Sequence, residues 1–592
     1  MTDDILKLDY FAAIDRHFAD FLASRFKVNN TTRLLFALIS SCNRDGHSCF
    51  KLSAVKELPF YDEFSAELDQ ITAGGFTGKA IGLPGEYRPI INDGDLWYLH
   101  RYHHYENNIS SRIKQRLQFS GELNNKLVRK TLDHYFTPTT EPDWQRIAAT
   151  LAVCGYFTII SGGPGTGKTT TVARILAVLL DLLPETKDRI AIAAPTGKAA
   201  ARLEESLKTV GPETGGHIPP IEAVTIHRLL GVIRGKPGFR HNRKNQLALD
   251  VLIIDEVSMV DLALMSSLLD AVPDNARLIL LGDKDQLASV NPGSVFGDLC
   301  GSSPINHFSR TAAELLAATG NNGNISLCRE QAPPMRDHIV QLRKSYRYPA
   351  HSGIAETAPL INKGQGKGAL MVLQKHNIAD IQLIPLTKME TSLKKQIKQF
   401  YTLYLQEKNP EKIFSAFAVF RVLAAVRQGN FGVKAINNFI ENTLEDLGMI
   451  ETGNNSCYHG RPIMVTRNDY SLSLFNGDTG IMLFDEEEKR LLVFFQSPDG
   501  SFRKFPPARL PEHETVFAMT VHKSQGSEYE NISLILPGIK SAVVTRELLY
   551  TAVTRAKKSV TIFGKEAEFI EATHRRTRRM SGLGGKLWGL NS

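Results

Sequence analysis

The residues with the plainest chemistry are Gly162-Gly163-Pro164-Gly165-Thr166-Gly167-Lys168-Thr169. They fit the glycine-rich phosphate-binding pattern, in which a lysine and a hydroxyl residue follow the last glycine. Glycines there let backbone N–H groups wrap phosphate oxygens, and the helix that follows adds the positive end of its dipole. All eight, with Thr170, are candidate nucleotide contacts. Lys168 would bridge the β- and γ-phosphates, and Thr169 would ligate Mg²⁺. The surroundings suit this reading: residues 157–160 form an apolar, strand-like run, and residues 169–183 have helical periodicity. An ordinary glycine-rich turn lacks that setting, so the expectation is a nucleoside-triphosphate site.

Three further clusters follow apolar runs at residues 190–194, 251–254 and 278–281. Continuous rather than alternating apolarity predicts a parallel sheet covered on both faces, with functional residues at the strands' C-terminal ends. Asp255 and Glu256 follow the run at 251–254. The aspartate would join Thr169 on the metal, and the glutamate would polarise an attacking water. Gln286, after Gly282-Asp283-Lys284-Asp285, is suited to touch the γ-phosphate or its water, although a plain turn uses Gly-Asp equally well. Thr196, Gly197 and Lys198 join the strand at 190–194 to a helix, where a hydroxyl and free amides seat a phosphate. Lys168 and its loop already hold the nucleotide, so this second seat calls for another phosphate chain, and a nucleic-acid backbone supplies one. Thr225 and His227 extend the same track. Gln145 opens a helix ahead of the loop and either reads an adenine edge or caps a surface turn.

The chain has 592 residues, 42% hydrophobic and 22% charged, as expected of a soluble globular protein with several domains. No apolar run approaches the roughly 20 residues needed to span a bilayer. The acidic N-terminus lacks a signal-peptide core, so no membrane association and a cytoplasmic location are expected. Six scattered cysteines show no C-x-x-C spacing, which argues against a disulfide framework or structural zinc, the nearby Cys42 and Cys49 included. The net charge of +8 and pI near 9.0 are compatible with a polyanionic partner. Beyond Glu571 a basic tail carries Arg575, Arg576, Arg578, Arg579 and Lys586 without an acid. It either touches nucleic acid or is a solvated, frayed end.

Composition shifts divide the chain at about residues 115 and 350. Residues 1–115 hold helical patterns at 11–26 and 32–42 and a strand-like piece at 96–102, without catalytic spacing, and read as a docking domain. Residues 116–350 carry the nucleotide site, with 301–334 reading as a surface loop. Residues 351–592 repeat the strand–helix rhythm, with 417–424 as a candidate central strand and 434–447 as a helix. Within them, residues 457–510 hold short alternating strands at 462–466, 480–484 and 490–495. Turns at Asn476-Gly477-Asp478 and Pro498-Asp499-Gly500 separate them, as in a five-stranded antiparallel barrel.

In order and approximate spacing, GGPGTGKTT, APTGKAA, DEVS, GDKDQL, SYR, TVHKSQGSE and YTAVTRA resemble the motifs of superfamily 1 DNA helicases. With the segment at 89–106, the chain is most similar to the RecD family, the α subunits of exodeoxyribonuclease V (RecBCD). The resemblance implies an α/β fold of two RecA-like P-loop domains with parallel sheets and ATP between them. A small helical N-terminal domain and a small antiparallel, SH3-like β insert in the second motor domain complete it. By match to the motifs, Arg347 and Arg555 are the arginines that reach the transferring phosphoryl group, a contribution of roughly 10³–10⁵ in rate. Either one, taken alone, is equally readable as a surface ion pair. Gln525 and Gly526 correspond to the element that contacts the nucleotide and links its state to DNA grip, with Thr520, His522 and Ser524 on the DNA side. The resemblance also implies ATP and Mg²⁺ as cofactors, and sequence-independent contact with single strands and duplex ends of DNA. It further implies 5′→3′ translocation, a heterotrimer with RecB-like and RecC-like subunits, and double-strand break repair. The nuclease centre of such a complex belongs to the RecB-like subunit, and no nuclease cluster stands out here. Tyr348 stands where the family more often has Phe. Two other readings are a stand-alone RecD-like helicase, whose relatives have a longer N-terminal region, and a nucleotide-gated structural subunit that binds DNA ends without unwinding. The intact Lys168, Asp255, Glu256, Gln286, Arg347 and Arg555 argue against the latter.

Overall fold

The apolar runs are buried on both sides. In the computed structural model, Leu252, Ile254, Leu278 and Leu280 enter one core, and Val251, Ile253, Ile279 and Leu281 enter another on the opposite face. Side chains alternate across a strand, so two cores demand an unbroken apolar sequence. The structure describes all residues apart from 1, 120, 122, 138, 214–218, 234, 237, 302–303, 322, 324, 329–332, 350, 376–378, 453–455, 470, 498–499, 540 and 590–592. The expected turn at Pro498-Asp499 lies outside the described residues.

The first sheet has six parallel strands in the order Ile339–Leu342, Phe157–Gly162, Arg277–Gly282, Val251–Ile254, Ile190–Ala194, Ala223–Thr225. The two outer strands were not legible as runs, being short and only partly apolar. The second sheet has five parallel strands in the order Ile381–Ile384, Ala556–Phe563, Tyr529–Ile535, Phe420–Ala424, Ala518–Thr520. Its centre is Tyr529–Ile535, not the expected run at 417–424, whose first residue ends the helix Pro410–Phe417. Apolarity on both faces marks any inner strand and carries no rank. The expected α/β class with two parallel sheets and an antiparallel insert is the one observed.

The insert has five antiparallel strands in the order Phe502–Phe505, Arg490–Gln496, Thr479–Asp485, Pro462–Val465, His513–Thr515. The two outer strands do not pair with each other among the described residues, so the sheet is open where a barrel was expected. One face has its own small core of Ile463, Val465, Met482, Val493 and Phe495. The other, through Ile481, Leu483, Leu492 and Phe494, joins the core of the second domain, so neither face demands closure.

Three other expectations change. The N-terminal region is not simply helical: helices Ala13–Phe26, Asn30–Arg44 and Ser65–Ala73 accompany a four-stranded sheet. The strand read at 96–102 stops at Leu99, and His100–Arg116 is a helix. Its i, i+4 pair Arg112 and Arg116 docks on the first domain, Arg112 on Asp270 and Asp274 and Arg116 on the carbonyls of Val272 and Pro273. A boundary near residue 115 therefore falls inside a helix already packed on its neighbour. Residues 301–334 are not all surface loop, because helix Arg310–Ala318 buries Ala312 and Leu316 at i, i+4 spacing, next to Phe308.

The basic tail is neither frayed nor free. The Ser48 amide donates to the Met580 carbonyl at 3.0 Å, and the Met580 amide donates to His47 Nδ1 at 2.8 Å. Glu106, fully buried, accepts from Ser48, Tyr98, Ser581 and the Gly582 amide, and pairs with Lys586 at 3.5 Å. Arg579 donates to the carbonyls of Asn291 and Gly293, both at 2.7 Å. Trp588 is buried, with its indole N–H on the Asp298 carbonyl. The tail thus leaves the second domain and fastens the N-terminal domain to the first. Among the described residues, no helix is long and apolar enough to cross a membrane. All six cysteines are unpaired thiols, and no cluster of three or more metal-ligating side chains occurs among the described residues.

Trp588→Ala empties a buried aromatic site, a change that costs on the order of 3 kcal/mol. Calorimetry is expected to show a lowered first unfolding transition for this variant. Arg578→Ala, on an exposed side chain of the same tail, is expected to leave that transition unchanged.

Candidate nucleotide site and interdomain cleft

The phosphate loop leaves the strand Phe157–Gly162 and enters the helix Lys168–Leu182. Gly165 and Gly167 have φ of 74° and 80°, the left-handed region that glycine alone adopts without strain. A Cβ on Gly165 would lie 2.3 Å from that of Arg347, and one on Gly167 would lie 2.3 Å from Gln145 Nε2. The helix begins without a side-chain cap, and its first-turn amides have no intrahelical acceptor. An anion is the natural partner for that end. Lys168 Nζ curls over the loop onto the carbonyls of Gly162 (2.6 Å) and Gly163 (3.2 Å). Gln145 does not cap the turn; Asp143 does. Instead its Nε2 donates to the Thr166 carbonyl and its Oε1 accepts from Arg174, tying the loop to the helix behind it.

One strand separates the acidic pair from the phosphate loop, and Lys168 is near enough for its charge to act on Asp255. Asp255 ends the strand Val251–Ile254, and its Oδ1 accepts from the Glu256 amide at 2.8 Å. Burial foremost, and then the charge of Glu256, push the Asp255 carboxyl up to about 6, against the pull of Lys168. Glu256 has φ of 52°, so the chain turns sharply between the two carboxylates.

Gln286 is buried against the second domain. Its Nε2 donates to Asp283 Oδ2 at 3.2 Å, and its Oε1 accepts from Arg555. Arg555 is 2% exposed and also donates to the Ser527 carbonyl, while its Nε, also buried, has no acceptor among the described residues. Leu287 is gripped on both sides: its amide donates to Thr551 Oγ1 (3.0 Å), and its carbonyl accepts from Gln525 Nε2 (2.8 Å). Gln525, expected near the nucleotide, therefore faces the segment after Gln286. Arg347 donates to the Thr554 carbonyl and pairs with Glu528, which also holds Arg202. Burial would raise the Glu528 carboxyl, but the two guanidiniums outweigh it and hold it at about 2. Tyr348 keeps the aromatic position and adds a hydrogen bond from its hydroxyl to the Ala556 carbonyl, which a phenylalanine lacks.

The candidate DNA contacts divide. Thr196 accepts from the Ala199 amide, next to Gly197 at the helix start. A Cβ on Gly526 would come within 3.6 Å of Thr196 Oγ1, so segments of both domains meet there. Lys198 reaches across to the Tyr529 ring, 5.7 Å from its centroid. Thr225 caps the helix Ile226–Leu230, and His227 packs edge-on against Phe239. Thr520 accepts from the Lys523 amide, and His522 is half-buried. Ser524 departs from expectation: fully buried, it donates to the Val521 carbonyl at 2.7 Å, because its short helical turn points the hydroxyl inward.

Several contributors escaped the sequence reading: Asp283, Tyr550, Thr551, Glu528, Arg202 and Arg174. The first four lie inside motifs quoted above, but their roles come from pairing across domains. Arg202 is one turn beyond Lys198 on its helix and carries no sequence signal of its own.

Three family models match: residues 145–292 an AAA domain, 515–563 a UvrD-like helicase C-terminal domain, and 7–81 the N-terminal domain of RecBCD enzyme subunit RecD. RecBCD enzyme subunit RecD of Haemophilus influenzae is 37% identical over 500 residues, 78% of this chain and 75% of that protein. The Mycobacterium tuberculosis subunit is 36% identical over 513 residues, 84% of this chain and 81% of that protein. The ATP-dependent RecD2 DNA helicase of Deinococcus radiodurans is 29% identical over 430 residues, 72% of this chain and 49% of that protein.

The raised carboxyl of Asp255 gives a signed prediction. The folded state holds that proton more tightly than the unfolded chain, so the stability cost is absent below pH 4 and complete above about pH 6. At roughly 1.4 kcal/mol per pK unit the cost reaches about 3 kcal/mol at most. Asp255→Asn is expected to melt above the parent at pH 7 in EDTA without nucleotide. Melting curves between pH 7 and pH 5 should show that advantage shrinking.

Proposed function

The chain belongs to the RecD family of RecBCD enzyme subunits, and from that premise we propose an ATP-driven DNA helicase and translocase subunit. It works 5′→3′ with RecB-like and RecC-like partners at DNA ends, in double-strand break repair in the cytoplasm. The observation that carries the motor reading is the Arg555–Gln286 contact, which joins the two domains beside the phosphate loop.

The residues fit a Mg²⁺-bound triphosphate. The glycine cradle, the uncapped helix start and the buried Nε of Arg555, which has no acceptor among the described residues, all suit an anion. Thr169 and Asp255 offer the hard oxygen donors Mg²⁺ prefers. The metal, when bound, would neutralise charge on the β- and γ-phosphates. Lys168 and the backbone N–H groups of Gly163 and residues 165–170 hold and orient the triphosphate. Glu256 orients and deprotonates the water, and Gln286 aligns it with the γ-phosphate. Arg555 offers its charge from the second domain, and Arg347 does so on exchanging Glu528 for phosphate. Hydrolysis then requires both domains to be closed, and each cycle of closure and opening moves the DNA grip. That grip uses Thr196, Gly197, Lys198, Thr225 and His227 of the first motor, and Thr520 and His522 of the second. These groups suit backbone phosphates, and so tolerate any sequence. The N-terminal domain, matched by its own family model, is the docking module. The higher identity to the RecD subunits (37% and 36%) than to the RecD2 helicase (29%) favours the subunit reading over a stand-alone helicase.

Unwinding of duplexes with a 5′ or a 3′ single-stranded tail tests this. ATP-dependent unwinding from the 5′ tail alone, lost in Lys168→Gln, is the expected result. Hydrolysis that unwinds only after RecB-like and RecC-like subunits are added supports the obligate-subunit form. DNA-independent or absent ATPase in both settings overturns the motor reading.

A further inference from the structure

We propose that Tyr550 is a positioning residue for hydrolysis, holding the Asp283 carboxylate that in turn aims the Gln286 amide. The proposal rests on the reading of Gln286 and Arg555 as γ-phosphate residues.

The helix Arg546–Val553 of the second motor ends against residues 283–287 of the first. The Tyr550 hydroxyl donates to Asp283 Oδ2 at 2.9 Å in a buried setting. That same oxygen accepts from Gln286 Nε2 at 3.2 Å, and Oδ1 accepts from the Asp285 amide at 3.0 Å. A Gln286 amide with its N–H on Asp283 has only one direction left for its carbonyl, and that direction is Arg555. The carboxylate is therefore the post to which the glutamine and the second motor are both tied. Tyr550 also borders the nucleotide cradle: a Cβ on Gly163 would lie 2.8 Å from its hydroxyl. One hydroxyl of the second motor thus meets both the phosphate loop and the Gln286 segment of the first.

Removing that hydroxyl leaves a buried carboxylate short of a donor. Burial already pushes the Asp283 carboxyl upward, and the tyrosine bond counters it. A protonated or rotated Asp283 no longer fixes Gln286 Nε2, the amide is free to turn, and Arg555 loses its acceptor. Tyr550 lies against the phosphate loop but makes no hydrogen bond to it among the described residues, so the loss falls on Gln286 rather than on the loop amides.

Tyr550→Phe keeps the ring and deletes only the hydroxyl. It is tested in the complete chain, with partner subunits where hydrolysis needs them. Expected is a fall in kcat for DNA-stimulated hydrolysis of about tenfold or more, the worth of one hydrogen bond to a charged group. KM for ATP and the melting temperature stay near parental values. Adding Asp283→Asn is expected to cause little further loss, because both changes cut one linkage. Parental kcat in Tyr550→Phe, or full additivity with Asp283→Asn, overturns the proposal. A joint shift of kcat, KM and melting temperature also overturns it, in favour of a purely structural tyrosine. Lys168→Ala keeps the two readings apart. Hydrolysis surviving that change sinks the nucleotide-site assignment, whereas its loss beside an unaffected Tyr550→Phe sinks only the role given to Tyr550.

Discussion

Everything in the cleft depends on where one guanidinium is buried. Arg555 has almost no contact with solvent, and a buried charge is costly unless its protons are accepted. Gln286 and the Ser527 carbonyl take two, leaving Nε for a further acceptor. The first acceptor belongs to the opposite motor, so the arginine is stable there only while the motors meet. The same requirement aligns Tyr550 with Asp283 and Thr551 with Leu287. A cleft held by polar groups of this kind is specific in register and sensitive to any anion entering it.

Glu528 shows the same logic at the rim. It neutralises Arg347 and Arg202 from two segments of the first motor, and those two charges keep its carboxyl ionised at about 2. A phosphate competing for Arg347 would leave Glu528 with Arg202, so the carboxylate stays paired during the exchange. Charge in this cleft is passed between partners rather than left exposed.

A second constraint comes from the chain's own end. The segment from Arg579 to Trp588 threads between the N-terminal domain and the first motor and fills the surroundings of Glu106. A docking domain fastened in this way cannot shift without disturbing the loop that holds Asn291 and Gly293, a few residues after Gln286.

Residue types in a row carry the chemistry of each strand end, and with it the fold class. A phosphate loop needs particular glycines in a row, and a doubly covered strand needs an unbroken apolar run. Both are local demands, so Gly165, Lys168, Asp255 and Gln286 could be singled out from neighbouring residues alone. What each polar group faces is set by packing between distant segments. Ser524 turned inward, Gln145 and Gln525 became braces for neighbouring segments, and Tyr550 found Asp283 across the cleft. Nor could the sequence rank the strand at 420–424 within its sheet, leave the insert open, or send the basic tail back to Glu106. Those outcomes come from contacts hundreds of residues apart, where geometry rather than residue type selects the partner.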